Sequence, residues 1–459
     1  MLERLAIDVL MTRDKRFYRS FFALFFPLVL QNVINLGVNV ADNIMLGAYS
    51  EAALSGAAAV NQLQFILQCL VNGVGNGLTV LGSQYWGQKR TEPIRRVASF
   101  ALVVGTLFSL VIFLLCAFFP NGMMRIFVDD AGVIQEGMEY LAVVKHSYIP
   151  FAITSVLLCA LNSVETVKLS FWTSVEALVV NIVLNALLIP LHGSWGAAMA
   201  TLLSRLVTLA TVVLYTALGD KKLRLRLKSL FPLDKTLCMD FIRVATPVVI
   251  VGGMWGLSNA MQTVILGHMT AAAIAANSAS YTLYSLIKAA AISASSVASI
   301  VMAKTVGAGD MGKVRENART LQIMFLIIGV LSALLLYAVQ GPVLAFYKLS
   351  EDTMAMARQF ILVLCVCTVG MGYQMPTISG IIRGGGDTRF GMLNDLVSIW
   401  LIVLPVSALA AFVWHWPPVA VVACLNADQI FKCGAAAIRC NGYRWVKKLT
   451  RDAVAPENE

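Results

Sequence analysis

The chain has 459 residues, of which 58% are hydrophobic and only 13% charged, and its mean hydropathy is +0.77. Soluble domains carry about 25% charged residues, so a water-soluble globular protein is excluded and an all-α polytopic membrane protein is indicated. The formal charge of +10 lies in clusters between apolar runs, which points to basic loops and not to a nucleic-acid partner.

The first 20 residues, MLERLAIDVLMTRDKRFYRS, contain no long apolar core and no small-residue cleavage site. They read as a retained cytoplasmic segment and not as a signal peptide. Apolar runs separated by breakers then give about twelve spans, each near the roughly 20 residues that a membrane-crossing helix needs. Their expected limits are 21–47, 54–83, 97–119, 138–161, 170–191, 195–218, 243–267, 273–303, 320–341, 358–381, 391–414 and 418–438. Lysines and arginines cluster before span 1 (Arg4, Arg13, Lys15, Arg16, Arg19) and after span 2 (Lys89, Arg90, Arg95, Arg96). They cluster again after span 6 (Lys221, Lys222, Arg224, Arg226, Lys228, Lys235), span 8 (Lys304, Lys313, Arg315, Arg319) and span 12 (Arg439, Arg444, Lys447, Lys448, Arg451). With twelve spans all of these fall on one side, so both termini are expected in the cytoplasm of a cell with this protein in its plasma membrane. The expected organisation is an N-terminal segment 1–20, a first lobe 21–218, a basic linker 219–242, a second lobe 243–438 and a tail 439–459. The linker reads as a topology anchor on anionic headgroups or as a regulatory site.

Span 1 carries Gln31, Asn35, Asn39 and Asp42. At about 100° per residue these fall within about 80° of one another, so one helix face is polar for three turns. Asn61, Gln64, Gln68 and Asn72 make a similar stripe on span 2. Lipid satisfies no amide, so both stripes should turn inward, either to hydrogen-bond between helices or to line a wet cavity. Asp42 is a stronger functional candidate because an ionisable side chain costs far more there. Asn181 and Asn185 in span 5, and Thr201 in span 6, are expected at a similar depth in the outer half of the bilayer. A carboxylate, two amides and a hydroxyl are hard oxygen ligands suited to Na⁺ or to a proton relay. Pro27 cannot bond the carbonyl of Ala23, so a bend at that point of span 1 is cheap.

A shift of 220 residues superposes the two halves of the chain. Pro27, Val29, Asn39, Leu46, Gly47, Ala53, Leu63, Gly87 and Ala98 then fall on Pro247, Val249, Asn259, Leu266, Gly267, Ala273, Leu283, Gly307 and Ala318. Six spans per half make this a parallel repeat, hence two pseudo-symmetric six-helix bundles, a plan common among secondary transporters.

Pro27, Val40, Asp42, Met45 and Gly47 in span 1, followed by Gln84, Gly87 and Gln88, form a pattern that resembles the multidrug and toxic compound extrusion (MATE) family. RGGGDTRF (383–390) followed by WLIVLP (400–405) resembles its second-lobe counterpart. The resemblance covers essentially the whole chain. It implies a secondary antiporter that exports amphipathic or cationic small molecules in exchange for H⁺ or Na⁺. It further implies that Asp42, Asn181 and Thr201 match a first-lobe cation site, with Asn185 departing from the family's acid and Ser204 a fallback for Thr201. One carboxylate can be neutralised by one proton or one Na⁺, and desolvation of a lone buried carboxylate suits proton exchange.

In the second half the shift places Gln262 opposite Asp42 and Trp255 opposite Asn35, while Tyr281, Tyr284 and Lys288 replace the amides of span 2. These form an aromatic and amide wall facing a cavity, or packed bundle residues. Asp395 is a candidate partner for Lys288. Asp387 matches an acid that some family members use in coupling, or is a loop acid bonding Arg383 or Arg389. Glu176 and the pair Asp428 and Lys432 read as span-end snorkelling or structural pairing. The nine cysteines are scattered, and the four histidines lie far apart, so no metal site or disulfide framework is expected. No cofactor is expected beyond the transported ion; the partners are a small-molecule substrate and membrane lipids, and a monomer is expected. A flippase for a lipid-linked or polar metabolite is the alternative transporter, although only Lys145, Arg205 and Lys288 are clearly basic within spans. A membrane enzyme would need clustered acids, histidines or a nucleophile–base pair, and none stands out.

Overall fold

The computed structural model describes residues 11–128, 130–225, 234–267, 269, 271–344 and 350–451. Arg4, Arg226, Lys228, His268 and the last eight residues of the tail lie outside the described residues. The chain is a multi-pass membrane protein built of long helices. Among the described residues eleven are long and apolar enough to cross a bilayer: Lys15–Tyr49, Glu51–Gly87, Glu92–Phe118, Ala131–Ser163, Lys168–Gly219, Lys235–Leu266, Ala272–Gly307, Met311–Leu344, Glu351–Ile382, Thr388–Phe412 and Pro418–Asn441. Leu191, Leu218, Phe118 and Ile438 point outward and exposed, as apolar side chains do when lipid is the solvent.

The fifth of these helices contains two spans. Lys168–Leu214 holds Pro190 and a residue with non-helical torsions, Gly193 (φ 55°, ψ −129°). A side chain at that φ would be strained, and a Cβ there would strike the Tyr49 ring at 2.6 Å. The chain reverses at this point. Thr211 Oγ1 donates to Glu176 Oε1 at 2.8 Å, although a straight helix would hold residues 35 apart about 50 Å from each other. The sequence PLHGSWG is therefore a hairpin between spans 5 and 6, and twelve crossings result. Glu176 is satisfied across that hairpin at one oxygen, while its Oε2 is buried without a partner among the described residues.

Contacts divide the described chain into two compact units. One comprises residues Phe26–Gly82 and Thr91–Gly256. Within it span 2 packs through small residues, which allow close backbone approach: Gly56 lies against the backbone of Gly137, Gly73 against Val249 and Gly77 against Ala245. The other comprises the chain up to Phe25, Ser83–Arg90 and the chain from Leu257 onward. Its core gathers Leu283, Tyr284, Phe360, Ile361, Met371, Leu404 and Val421. In this unit the ends of spans 2 and 8 cross on a pair of glycines. A Cβ on Gly87 would lie 2.1 Å from the Lys304 carbonyl oxygen, and one on Gly307 would lie 2.0 Å from that of Gln84. Only hydrogen fits at either position, and both are placed by the same 220-residue repeat.

Candidate cation site

Span 1 reaches Asp42 two turns before its helix ends at Tyr49, and span 5 brings Asn185 and Asn181 to it, while Thr201 of span 6 meets Tyr140, which lies in the electrostatic range of Asp42. Asn185 Nδ2 donates to Asp42 Oδ1 at 2.5 Å and to Asn181 Oδ1 at 3.1 Å. Asn181 and Asn185 are 1% and 0% exposed, so this amide pair is sealed inside apolar helices. Among the described residues Asn181 Nδ2, Asn185 Oδ1 and Thr201 Oγ1 are buried without a hydrogen-bond partner. A buried polar atom left unpaired costs about 1–3 kcal/mol. An unpaired amide oxygen on the residue that bonds a carboxylate is the chemistry of a cation-accepting pocket. Ser204 is spent elsewhere: its hydroxyl donates to the Thr201 carbonyl at 2.9 Å.

Two further residues belong to this cluster. Tyr140 in span 4 is buried beside Thr201 and within electrostatic range of Asp42. Arg205 shares the electrostatic field of Asp42 and Tyr140, with its guanidinium 4.9 Å over the Phe151 ring. Arg205 follows Thr201 by four residues and therefore lies on the same helix face. That spacing was a usable signal. For Tyr140, on a different span, nothing in the sequence marked the position.

The amide stripes make no hydrogen bond to this cluster among the described residues. No hydrogen bond among the described residues ties Gln31, Asn35 or Asn39, or Asn61, Gln64 or Gln68, to Asp42. Asn35, Asn39 and Gln68 are exposed, while Gln31, Asn61 and Gln64 are half-buried. Pro27 sits inside the continuous helix Lys15–Tyr49, next to the Phe25–Phe26 boundary between the two units.

In the second half the expected wall is only partly formed. Gln262 Nε2 donates to Ser258 Oγ at 3.3 Å, and the exposed Tyr281 hydroxyl donates to Asn259 Oδ1 at 3.4 Å. Tyr284 leaves the wall. It is 2% exposed in the apolar core, with its hydroxyl 3.1 Å from Met371 Sδ, because helical periodicity does not reveal which face meets a neighbouring helix. Lys288 is half-buried on the same helix. Asp395 is committed not to Lys288 but to Lys432, at 2.8 Å.

Asp387 contradicts the reading that paired it with Arg383 or Arg389. Its Oδ2 accepts from Arg439 (Nε at 3.1 Å, and Nη2) and its Oδ1 accepts from Lys447 Nζ at 2.8 Å. Burial alone would raise this loop carboxyl, but Lys447 and Arg439 together hold it below the usual carboxylate range. The clamp is part of a strap formed by the chain after span 12. Trp445 is fully buried, Lys447 N donates to Gly385 O at 2.7 Å and Leu449 N donates to Gln84 Oε1 at 2.8 Å. Gln88 Nε2 donates to Thr450 Oγ1 at 2.6 Å. Gln84, Gln88 and the glycine run before Asp387 thus hold the strap in place, a role that no local pattern in the sequence announced.

A prediction follows for Asp387→Asn. Loss of the charge-assisted bonds is expected to cost about 1.5–3 kcal/mol. A carboxyl depressed in the folded state stabilises above its unfolded pKa of about 4 and loses that contribution as pH falls through the folded value. Thermal unfolding followed against pH should show the variant below wild type at neutral pH and the gap closing under acid. A gap of constant size would show that the clamp contributes nothing electrostatic.

Comparison with known proteins places the chain. The MatE family model matches residues 27–187 and again 247–409. The second match begins 220 residues after the first, at the proline the repeat predicts. A probable multidrug resistance protein YoeA of Bacillus subtilis is 23% identical over 407 residues, covering 85% of this chain and 86% of that protein. A probable multidrug resistance protein NorM of Thermotoga maritima is 24% identical over 437 residues, covering 93% of each. The crystal structure of the eukaryotic MATE transporter AtDTX14 superposes with a TM-score of 0.83 at 19% identity, over 95% of this chain and 97% of that one, which establishes the fold.

Proposed function

This chain belongs to the MatE family of transporters, and on that premise we propose that it is a secondary antiporter exporting amphipathic or cationic small molecules in exchange for inward-moving H⁺ or Na⁺. The two relatives that carry the name multidrug resistance protein support the substrate class. The observation that carries the coupling is Asp42, a carboxylate inside an apolar helix, bonded at 2.5 Å by the sealed amide of Asn185, whose Oδ1 has no hydrogen-bond partner among the described residues. Such a site changes charge when one cation arrives. With Asp42 neutralised, the bond that draws Asn185 of span 5 onto span 1 weakens, and Pro27 gives span 1 a point at which to bend.

In this reading both termini lie in the cytoplasm, the protein works as a monomer in the plasma membrane, and the exported molecule and the ion use the protein in alternation. The test is efflux of a cationic dye from vesicles under separately imposed pH and Na⁺ gradients. One of the two gradients should drive dye outward, and a response to neither would defeat the proposal.

A further inference from the structure

The strap after span 12, residues 442–451, is bonded to both halves of the sequence at once. From the first half it takes the end of span 2. Gln84 is 0% exposed, and both ends of its amide are bonded to strap backbone: Nε2 donates to Lys447 O at 3.2 Å and Oε1 accepts from Leu449 N at 2.8 Å. One turn on, Gln88 Nε2 donates to Thr450 Oγ1 at 2.6 Å, and Arg90 Nη1 donates to Arg451 O at 2.8 Å. From the second half it takes the end of span 10, where Lys447 meets Gly385 through its backbone and Asp387 through its ammonium. Residues 83–90 accordingly group with the second half, although the rest of span 2 belongs to the other compact unit. The helix Glu51–Gly87 runs unbroken across that boundary.

The two attachments differ in kind. On the second half the strap is anchored by charge and by burial. Asp387 accepts from Lys447 and from Arg439, and charge-assisted bonds are about twice as strong as neutral ones. Trp445 is fully buried, its indole Nε1 donates to Cys440 O at 2.7 Å, and a Cβ on Gly385 would lie 2.0 Å from its ring. On span 2 the bonds are those of two side-chain amides and one guanidinium to backbone and hydroxyl groups. Water can replace each of these partners, so their net cost of release is small. Beneath them Gly87 and Gly307 meet backbone to backbone. No side chain of either glycine interlocks with the opposite helix, so the two helix ends can part without one side chain clearing another.

In a transporter built of two repeats, one repeat moves against the other to alternate access. A strap bonded to both repeats at one end then has to let go of one of them. We propose that residues 442–451 are a latch: they hold the end of span 2 against span 8, release Gln84, Gln88 and Arg90 when the transporter opens on that side, and stay on Asp387 throughout. The proposal rests on the reading of the chain as an exporter with its termini in the cytoplasm. It assigns the strap a part in each transport cycle, whereas a static brace would keep all of these bonds through the cycle.

The test locks the strap reversibly. Full-length Gln88→Cys, Thr450→Cys protein in liposomes is bridged by a short bis-methanethiosulfonate reagent and reopened by dithiothreitol. Ion-driven ethidium efflux is expected to fall to that of protein-free liposomes when bridged and to return on reduction, while each single cysteine variant stays insensitive to the reagent. A bridge from Tyr443→Cys to Arg315→Cys, whose guanidinium lies 5.3 Å over the Tyr443 ring within the second half, is expected to leave efflux unchanged. Efflux that continues through the Gln88–Thr450 bridge, or a bridge that does not form, overturns the latch. Loss of efflux with the Arg315–Tyr443 bridge overturns the assignment of span 2 as the side released. Should the double variant fail to fold, Thr450→Cys alone gives a second reading. This residue is 6% exposed, and in vesicles with the cytoplasmic face outward a membrane-impermeant maleimide should label it several-fold faster during transport than at rest. Equal rates would overturn the proposal. Wild-type protein that moves no dye under either ion gradient defeats the exporter reading itself, a result distinct from wild-type efflux that is indifferent to the lock.

Discussion

Asp42→Asn protein, reconstituted in liposomes, is expected to show ion-driven dye efflux no faster than liposomes without protein. The substitution keeps size and shape and removes only the charge that a cation would neutralise. The Asn185 amide can still donate to the oxygen of the new side chain, so the bond at 2.5 Å is replaced and the helix pair stays together. Thermal stability should therefore be unchanged within about 1 kcal/mol, the value of an ordinary hydrogen bond. Stability retained with transport lost would separate a coupling role from a packing role. Wild-type efflux by the variant would remove Asp42 from the mechanism.

Gly307→Ala and Gly87→Ala are expected to be strongly destabilising. Each added Cβ would stand about 2 Å from a backbone carbonyl oxygen of the opposite helix, and backbone cannot rotate aside as a side chain would. The ends of spans 2 and 8 would have to separate, loosening Gln84 and with it the strap bonds to Lys447 and Leu449. Overpacking of this kind costs about 1–3 kcal/mol per site. The two sites share one crossing, so the double variant should lose less than the sum of the single losses. Thermal unfolding monitored by the monodisperse fraction would measure this. A midpoint within experimental error of wild type for either single variant would show that the crossing is looser than its glycines indicate.

Both predictions begin from features legible in the sequence. Asp42 stands out because an ionisable side chain in lipid needs a reason, and helix rise alone placed Asn181, Asn185 and Thr201 at its depth. Gly87 and Gly307 stand out because the repeat aligns them, and the reversal at PLHGSWG follows from Pro190 and Gly193 between two apolar runs. These are local or periodic signals, and membrane helices obey them closely because lipid leaves the backbone no other partner.

What was not legible depends on which helices face one another. Tyr281 and Tyr284 are three residues apart on one helix, yet one is exposed and the other is sealed against Met371 from span 10. Asp395 is a candidate partner for Lys288 by sequence, and its pairing with Lys432 is made by the packing of spans 11 and 12. Asp387 looked to its sequence neighbours Arg383 and Arg389, whereas the end of span 12 delivered Arg439 from 52 residues away and the strap delivered Lys447 from 60. Arg205 lies one turn from Thr201 on the same helix face, a position that a count of basic residues within spans does not single out. A charge near a candidate site on the same helix face carries information that a tally of charges does not.

Reciprocity gives the most direct measurement of the central claim. In an antiporter the exported molecule must be able to drive the ion as well as be driven by it. Vesicles loaded with a cationic dye, with no ion gradient imposed, should take up H⁺ or Na⁺ as the dye leaves, and Asp42→Asn vesicles should not. Dye that leaves wild-type vesicles with neither ion moving inward, or cation uptake that persists in Asp42→Asn, would contradict coupling through this carboxylate.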